Sequence, residues 1–446
     1  MHKIFKSIPR LPTNVYLLLF FTLGKGFQLT ISTLTVNYYA HSLGYRPDFI
    51  GLLSAMPALG SLVSAVPSGI LADRLGRKPV LVATAILTPL FLAGIGLVTS
   101  APLLLTSAFM QGVVSSAYWV TNIPLLTEST TERQRVGVLA MNSFLLLGVG
   151  SLGSLLGGTI PEFVAGILHV SAASTVPLRW GVLSASLFTL VFGLPLWLLR
   201  EPKLAGYADI TSPTNEVPVL QTGGDIREIG NQNDSPTTST PPPLLQPTKT
   251  IGDQLISKEK LPILLFVQLL LPDLLFTMGE GAVVALIQLY FVLRFHLLPG
   301  SLGIIFTISG VLGGLFSLTA PLFVHRWSKL RIITTVQYLS APLMVLIGLA
   351  PALPLAIGGE YARSFMRTLI EPVYAAFAME RVSDRYRATL SGFYSVTWSI
   401  GFSIGPTIAG WLQTNVNLSA SFVFGAFCLA LCASLLLLFF GGKRNG

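Results

Sequence analysis

The loop that decides the fold lies between two long apolar stretches near the start of the chain. Its sequence is Gly69-Ile70-Leu71-Ala72-Asp73-Arg74-Leu75-Gly76-Arg77-Lys78-Pro79-Val80-Leu81. Two glycines, one aspartate and a basic cluster interrupt residues that are otherwise apolar. The apolar stretches on either side reach ~20 residues, which is the length that a helix needs to cross the hydrocarbon core of a bilayer. The loop therefore connects two predicted membrane spans.

The rest of the chain repeats this alternation of apolar stretches and polar turns. Of its 446 residues, 52% are hydrophobic and 11% are charged, whereas soluble domains carry about 25% charged residues. The alternating ten-residue pattern of a membrane β-barrel is absent. We predict an all-α integral membrane protein with twelve spans. They are centred near Lys25, Leu62, Pro89, Val114, Gly148, Leu187, Thr277, Gly313, Pro342, Arg367, Ile400 and Leu431.

Basic residues are distributed unevenly between the two sides of the predicted membrane. With the N-terminus placed in the cytoplasm, most of the 28 Lys and Arg residues fall in cytoplasmic segments, and the outer loops hold only Arg46, Arg179 and Arg294. Cytoplasmic loops of membrane proteins carry this excess of positive charge. We therefore expect a multi-pass protein of the cell membrane with both termini in the cytoplasm. Because the basic residues lie on the predicted cytoplasmic side of the membrane, the net charge of +9 does not indicate nucleic-acid binding.

The two halves of the chain are related by an internal repeat with an offset of 252 residues. Corresponding pairs are Glu128 and Glu380, Arg133 and Arg385, Arg135 and Arg387, Gly153 and Gly405, and Gly158 and Gly410. Parallel repeats of this kind are typical of transporters. Between the halves, Asn, Ser, Thr and Pro dominate a stretch that cannot bury enough apolar area to become ordered. We predict six-helix bundles over 1–200 and 261–446, joined by a flexible cytoplasmic linker over 201–260.

The loop quoted above resembles the signature G-x-L-A-D-R-x-G-R-K-x-x-L of the major facilitator superfamily at every fixed position. The resemblance implies a fold of two pseudo-symmetric bundles and a cytoplasmic latch that stabilises the outward-open state. By the same resemblance, Arg77 pairs with Glu128 and Asp73 faces the cytoplasmic end of span eleven. The second copy has His325 and Ser328 in place of the aspartate and the second glycine, so we expect the first latch to dominate. The implied gating residues are Gly69, Asp73, Arg74, Gly76, Arg77, Lys78, Glu128 and Arg135.

Spans five and eleven carry strips of small residues. The stretch Gly405-Pro406-Thr407-Ile408-Ala409-Gly410 resembles the G-P-x-x-G-G signature of drug/proton antiporters, whereas the first-half copy, Gly153 to Gly158, lacks the proline. Close packing of helix backbones explains such strips equally well. In span four, the Arg-x-x-Gln-Gly of many proton-coupled members is represented by Ala108-Phe109-Met110-Gln111-Gly112, without the arginine.

Polar and charged residues recur at helical spacing in spans one, four, seven and ten, which line the central cavity in this family. We expect the following to line a hydrated substrate or coupling pathway: Lys25, Gln28, Gln111, Tyr118, Asn122, Asp273, Glu280, Gln288, Arg363, Arg367 and Glu371. Lys25 and Glu280 are candidates to meet across the cavity, with Glu280 as the proton carrier. Glu360 with Arg363, and Arg367 with Glu371, can pair within one helix, so structural pairing and substrate contact both remain open.

The leading hypothesis is a secondary transporter that works by alternating access, is coupled to protons, and exports amphipathic compounds. The alternative is uptake or exchange of an anionic metabolite through Arg363 and Arg367, since guanidinium groups bind carboxylates and phosphates. A rival of another class is a membrane sensor or scaffold that transports nothing. We find no phosphate loop, metal-ligand spacing or nucleophile motif. We therefore expect no enzyme activity, cofactor or metal, and a monomer whose partners are lipid, a small solute and protons.

Overall fold

The computed structural model describes residues 11–199, 263–317 and 327–442, and the regular secondary structure within these ranges is helical. A π-helical segment, Phe144–Val149, joins the fifth helix to the sixth, and Ala285 and Leu286 separate the eighth from the ninth. The predicted linker, 201–260, lies outside the described residues. The helices are α1 (Thr13–Ser42), α2 (Pro47–Leu75), α3 (Arg77–Leu97), α4 (Ala101–Glu128), α5 (Glu132–Ser143), α6 (Leu152–Leu168), α7 (Thr175–Gly193), α8 (Ile263–Val284), α9 (Ile287–Phe295), α10 (Pro299–Ser317), α11 (Lys329–Leu349), α12 (Leu353–Met379), α13 (Arg387–Asn415) and α14 (Ala420–Phe440).

These helices form the twelve predicted spans, because α5 and α6 together make span five and α8 and α9 together make span seven. Nine of the described helical stretches are long and apolar enough to cross a membrane. The other three spans depart from that pattern for visible reasons. Helix α10 is apolar but short, α12 contains four charged residues, and α13 is rich in Ser, Thr and Gly. The prediction of an all-α membrane fold is confirmed.

The two faces of the bundle pack differently. We call the face where α1 begins and α14 ends the terminal face, and the opposite one the distal face. Near the distal face, one apolar core combines both halves, with Leu34 and Tyr39 beside Tyr290 and Phe291. Towards the terminal face the cores separate: one contains only first-half residues and another only second-half residues. The described halves are therefore closed together at the distal face and apart at the terminal face.

Most hydrogen bonds between the described halves lie on the distal side of the bundle. The Asn37 side-chain amide donates to the Ala285 carbonyl at 2.6 Å, at the break between α8 and α9. The Tyr38 hydroxyl donates to the Leu297 carbonyl at 3.2 Å. Two more of these bonds are Asp48 N–H to Thr414 Oγ1 at 2.9 Å and Gly300 N–H to Glu162 Oε1 at 2.9 Å. A fifth bond between the halves, from Thr307 Oγ1 to the Ser151 carbonyl at 3.2 Å, lies nearer the middle of the bundle. An opening of the distal face must break the distal bonds.

The small-residue strips hold helix backbones in close contact. A methyl group added to Gly158 would lie 2.3 Å from the Pro299 carbonyl oxygen, and one added to Gly410 would lie 2.3 Å from that of Pro47. Both contacts cross from one half to the other. Gly153 and Gly405 instead pack within their own halves, against α1 and α8 respectively. Pro406 packs against Gly281 of α8. The predicted packing role of these residues is present in the structure, and no coupling role is needed to explain them.

Candidate functional site

A network of charged side chains joins α8 to α12 in the second half. Arg363 donates from Nη1 to Glu280 Oε2 at 2.8 Å and, through Nε and Nη2, to both oxygens of Glu360 at 2.8 and 2.9 Å. Arg367 Nε lies 3.6 Å from Glu280 Oε2, and its Nη2 lies 3.4 Å from Glu371 Oε1. Both pairs predicted within the tenth span are present. The prediction missed that Glu280 belongs to the same network.

The network changes from buried to exposed along α12. The side chains of Glu280, Glu360 and Arg363 are only 3–4% exposed, whereas Arg367 is 31% and Glu371 is 54% exposed. The exposed members lie towards the terminal face, where the halves are apart. Charged side chains at membrane depth face water or protein. Arg367 and Glu371 are therefore the members of the network that are accessible from this face.

Lys25 and Glu280 do not pair, so that predicted contact is wrong for this conformation. Lys25 Nζ donates to Gln28 Oε1 at 2.8 Å and lies 5.4 Å from the centre of the Tyr118 ring. The described residues place no carboxylate within ion-pair distance of Lys25. The reason is that α12 supplies two guanidinium groups to Glu280 from within its own half, while Lys25 faces α4.

The first half contains a polar cluster that is neutral. Thr22 Oγ1 donates to Asn142 Oδ1 at 2.7 Å, and Asn122 Nδ2 donates to the same oxygen at 3.1 Å. The Tyr118 hydroxyl donates to Thr22 Oγ1 at 3.3 Å. Asn122 and Tyr118 were predicted to line a pathway, but they are 2% and 1% exposed. In this conformation they tie α1, α4 and α5 together rather than face an opening.

Asp273 of α8 is separated from the charged network. Its carboxylate accepts a short hydrogen bond from the Thr397 hydroxyl of α13, and the residue is 8% exposed. No Lys, Arg or His of the described ranges lies within ion-pair distance of it. Glu280 lies seven residues further along α8, which corresponds to about 10 Å. Of the predicted carboxylates, Asp273 is thus buried without a cationic partner among the described residues.

The other predicted pathway residues are less tightly connected. Gln28 Nε2 donates to Ser32 Oγ at 3.4 Å, and half-buried Gln111 donates to Ser115 at 3.3 Å. Gln288 lies on α9, beyond the break, and its Oε1 atom is buried with no hydrogen-bond partner in the part of the chain described. Sequence reasoning missed Trp119, which continues the stripe of Gln111 and Ser115 by one turn and is 48% exposed. The repeat could have found it, because its partner is Glu371.

At the terminal face, the predicted pair of Arg77 with Glu128 is present. A matching pair joins Lys329 to Glu380 at the equivalent positions of the second half. The ion pair is thus present in both copies, and dominance of the first copy stays a prediction. A lysine in place of the arginine still reaches the glutamate, so the changes in the second copy did not remove the contact. His325 lies outside the described residues.

The remaining gating residues play unequal parts in the local structure. Gly76 separates α2 from α3 with φ +91°, a conformation that favours glycine. Gly69 is not required for close packing, because a methyl group there would lie 3.8 Å from Val120. Asp73 is exposed and makes no hydrogen bond or ion pair within the described ranges. Of the other predicted gating residues, Arg74 is exposed and Lys78 is half-buried. The Nε atom of Arg135 is buried and has no hydrogen-bond partner among the described atoms.

Metal binding finds no support in these ranges. Among the residues that the structure describes, no group of three or more His, Cys, Asp or Glu side chains could hold a metal ion. The site is therefore best described as a set of ion pairs and hydrogen bonds that links helices facing the gap between the halves.

Comparison with known proteins supports the same architecture. A model of the Major Facilitator Superfamily matches residues 16–359 and, in a second match, residues 269–445. The crystal structure of a bacterial homologue of the human lysosomal transporter Spinster, in an inward-facing and occupied conformation, superposes with a TM-score of 0.71. The superposition covers 95% of this chain and 95% of the homologue, with 14% sequence identity. At this identity the similarity shows a shared fold only.

Curated relatives match shorter stretches. The uncharacterized MFS-type transporter YfkL of Bacillus subtilis (strain 168) is 33% identical over 110 residues, which cover 25% of this chain and 28% of the relative. The multidrug resistance protein MdtL of Shewanella sp. (strain ANA-3) is 28% identical over 188 residues, which cover 41% and 42%. The matched stretches thus span less than half the length of either relative.

Proposed function

This chain belongs to the Major Facilitator Superfamily, and we propose on that premise that it is a secondary active transporter of a small solute by alternating access. The observation that carries the proposal is the unequal packing of the two faces. The halves share one apolar core at the distal face and have separate cores towards the terminal face. This is the arrangement of one end state, and the opposite end state would open the distal face.

Export of amphipathic compounds is the direction and substrate class that we favour. Exposed Trp119 on α4 and the exposed pair of Arg367 with Glu371 on α12 occupy repeat-related positions. Together they would provide an aromatic surface and charged groups for a solute that has both apolar and polar parts. The partial relative MdtL is named as a multidrug resistance protein, which agrees with this choice. A terminal face in the cytoplasm, as the charge distribution predicts, would place the entrance inside the cell.

Binding of an anionic metabolite is less well supported. Arg363 already binds two carboxylates and is buried. Each of its three nitrogens already donates to a carboxylate of the protein, so an anion would compete with these partners. Arg367 alone retains exposed surface, and it too lies near two carboxylates. The five charged residues of the network sum to one net negative charge, which disfavours an anion further.

Proton coupling remains part of the proposal, but Glu280 is no longer its natural carrier. Two guanidinium groups lie within 4 Å of its carboxylate, so Glu280 is held as the shared partner of Arg363 and Arg367. Protonation of Glu280 would remove the negative charge that pairs with Arg363 and Arg367. The contacts of Glu280 fit a carboxylate that holds α8 to α12.

Locking the distal face tests alternating access. Cysteines in place of Asp48 and Thr414 would lie close together across the halves, because the Asp48 backbone N–H reaches Thr414 Oγ1 at 2.9 Å. In proteoliposomes, oxidation of the double variant should stop solute flux and reduction should restore it. The two single-cysteine variants, treated with the same oxidant, are the controls. Native Cys428 and Cys432 are buried and should not interfere. Undiminished flux at complete cross-linking would exclude alternating access through this face.

Substrate class is tested with a trapped pH dye in the same proteoliposomes. Ethidium, an amphipathic cation, and naphthalenesulfonate, an organic anion, are added outside in separate experiments. We expect ethidium to move protons and naphthalenesulfonate to have no effect beyond that in protein-free liposomes. A response to the sulfonate alone would favour the anion alternative. Silence with both, after correct insertion has been verified, would favour a sensor or scaffold.

A further inference from the structure

Asp273 lies at the junction of two spans that both contact the other half. Its helix, α8, leads directly into the break at Ala285, whose carbonyl binds Asn37 of the first half. Its hydrogen-bond partner, Thr397, belongs to α13. The far end of α13 packs Gly410 against Pro47 and accepts the Asp48 N–H at Thr414. A change at Asp273 therefore acts on the two elements that close the distal face.

The surroundings of Asp273 contain several groups that titrate but no base. Tyr374 of α12, Tyr394 of α13 and Cys432 of α14 lie near enough to interact electrostatically with the carboxylate. The Tyr374 hydroxyl donates to the Leu269 carbonyl at 2.8 Å, and Gln337 of α11 donates to Cys432 Sγ at 3.3 Å. The Tyr394 hydroxyl lies beside that of Tyr374. An ionised carboxylate here has one hydroxyl donor and no cation, which is an unfavourable site for a full charge.

From this geometry we propose that Asp273 is the proton-binding site that sets the conformation of the transporter. In the conformation described, Asp273 carries the proton as a neutral carboxylic acid and shares a hydrogen bond with Thr397. When the proton leaves, Asp273 becomes a negatively charged carboxylate, and burial of this charge is unfavourable. Water then reaches it only if α8 and α13 move apart, and this movement pulls on both contacts that close the distal face. The assignment rests on the proposed proton coupling but requires no knowledge of the solute.

A distance measurement without any solute tests this assignment. Spin labels on cysteines at Ala140 and Gly392, two exposed and repeat-related positions towards the terminal face, report how far the halves are apart. Native Cys428 and Cys432 are 1% and 0% exposed and should stay unlabelled. In liposomes, we expect the short-distance population to increase as the pH rises from about 5 to about 9. With Asp273→Asn, which is neutral at every pH, the long distance should persist throughout.

Two further variants separate titration from packing. Thr397→Val removes the hydroxyl and should move the midpoint of the pH curve while the pH dependence persists. Thr277→Val is the matched control, because Thr277 lies one turn from Asp273 and its hydroxyl contacts backbone carbonyls only. It should leave the curve unchanged. If Asp273→Glu restores the pH dependence that Asp273→Asn abolishes, the carboxyl group itself is responsible.

Other outcomes would overturn the assignment. A parent protein whose distances do not respond to pH, or an Asp273→Asn variant that responds like the parent, excludes Asp273 as the conformational proton site. Replacement of choline chloride by sodium chloride at constant pH should cause no shift. A sodium-dependent shift that is lost in Asp273→Asn would instead identify a metal-cation site. Solute flux by the parent in the dye assay, measured separately, shows whether the proposed transport function fails together with this assignment or survives it.

Discussion

The polar clusters of the first and second halves occupy related places in the repeat, but only the second is charged. The first-half cluster joins spans one, four and five, and the charged network joins spans seven and ten of the second half. The first cluster contains amides and hydroxyls only. Where the fourth span has Gln111, Ser115 and Trp119, the tenth span has Arg363, Arg367 and Glu371.

This difference shows how one fold assigns separate tasks to its halves. The hydrogen bonds of a neutral cluster do not depend on a protonation state, and they hold its helices together. The charged network depends on every partner, because removal of one leaves another charge buried without compensation. We therefore expect the second half to respond more strongly to mutation and to pH. The following predictions compare equivalent positions, beginning with the largest expected effect.

Arg363→Met should destabilise the protein far more than Gln111→Met at the equivalent position. The first change leaves the buried carboxylates of Glu280 and Glu360 without their main cation, and breaking such a pair costs about 3–5 kcal/mol. The second change removes one hydrogen bond on a half-buried side chain, worth about 1 kcal/mol. Unfolding of both variants in mixed detergent micelles, followed by tryptophan fluorescence, measures the difference. Equal stability of the two variants would show that the network does not behave as a unit.

The cross-half glycines should be sensitive to a single added methyl group in both copies. Gly158→Ala and Gly410→Ala each place a carbon 2.3 Å from a backbone carbonyl oxygen of the other half. Overpacking of this kind typically costs about 1–3 kcal/mol, and here it should oppose closure of the distal face. The spin-label distances should then shift towards the distal-open state. Gly166→Ala is the control, since nothing lies within 4 Å of the added carbon; if it shifts the distances equally, the steric explanation is wrong.

Lys25→Met should be tolerated, in contrast to Arg363→Met. Lys25 is buried with one amide partner and no carboxylate partner among the described residues. Removing a charge that is poorly compensated should leave stability unchanged or raise it by about 1 kcal/mol. The same micelle assay decides the sign. A marked loss of stability would indicate that Lys25 has a charged partner in another conformation.

The two terminal-face ion pairs should contribute little and about equally. Their side chains are 24–58% exposed, and exposed pairs are usually worth about 0.2–1 kcal/mol. Arg77→Ala and Lys329→Ala should thus give similar, small losses that shrink further at high salt. A clearly larger loss for Arg77→Ala would support the prediction that the first copy dominates.

The sequence predicted those features that depend on spacing along the chain. The twelve spans, the repeat, the pairs within α12 and the pair of Arg77 with Glu128 all follow from periodicity or from a motif whose residues lie at fixed offsets. The glycine strips could also be predicted, since close approach of helices demands small residues. These features require no knowledge of which helix faces which.

Contacts that depend on the rotation of helices were not predictable from one sequence. Glu280 could be placed at the middle of span seven, but whether it meets Lys25 or Arg363 depends on how α8 is turned within its half. The separation of Asp273 from every cation in the described ranges has the same origin. The closed distal face was also beyond prediction, because the same sequence must fold into more than one arrangement of the halves if it alternates.

The π-helical segment in span five has one further consequence. Its wider turn, with Gly150 N–H bonded to the Leu145 carbonyl five residues back, accommodates a residue more than a regular helix would. Each residue of an α-helix turns the chain by about 100°. Deletion of one residue there would rotate α5 against α6 and swing Asn142 away from Thr22, while Gly153 and Gly158 kept their neighbours. The π-helical segment thus fixes how α5, in the terminal part of span five, is rotated about the helix axis relative to α6 in the distal part.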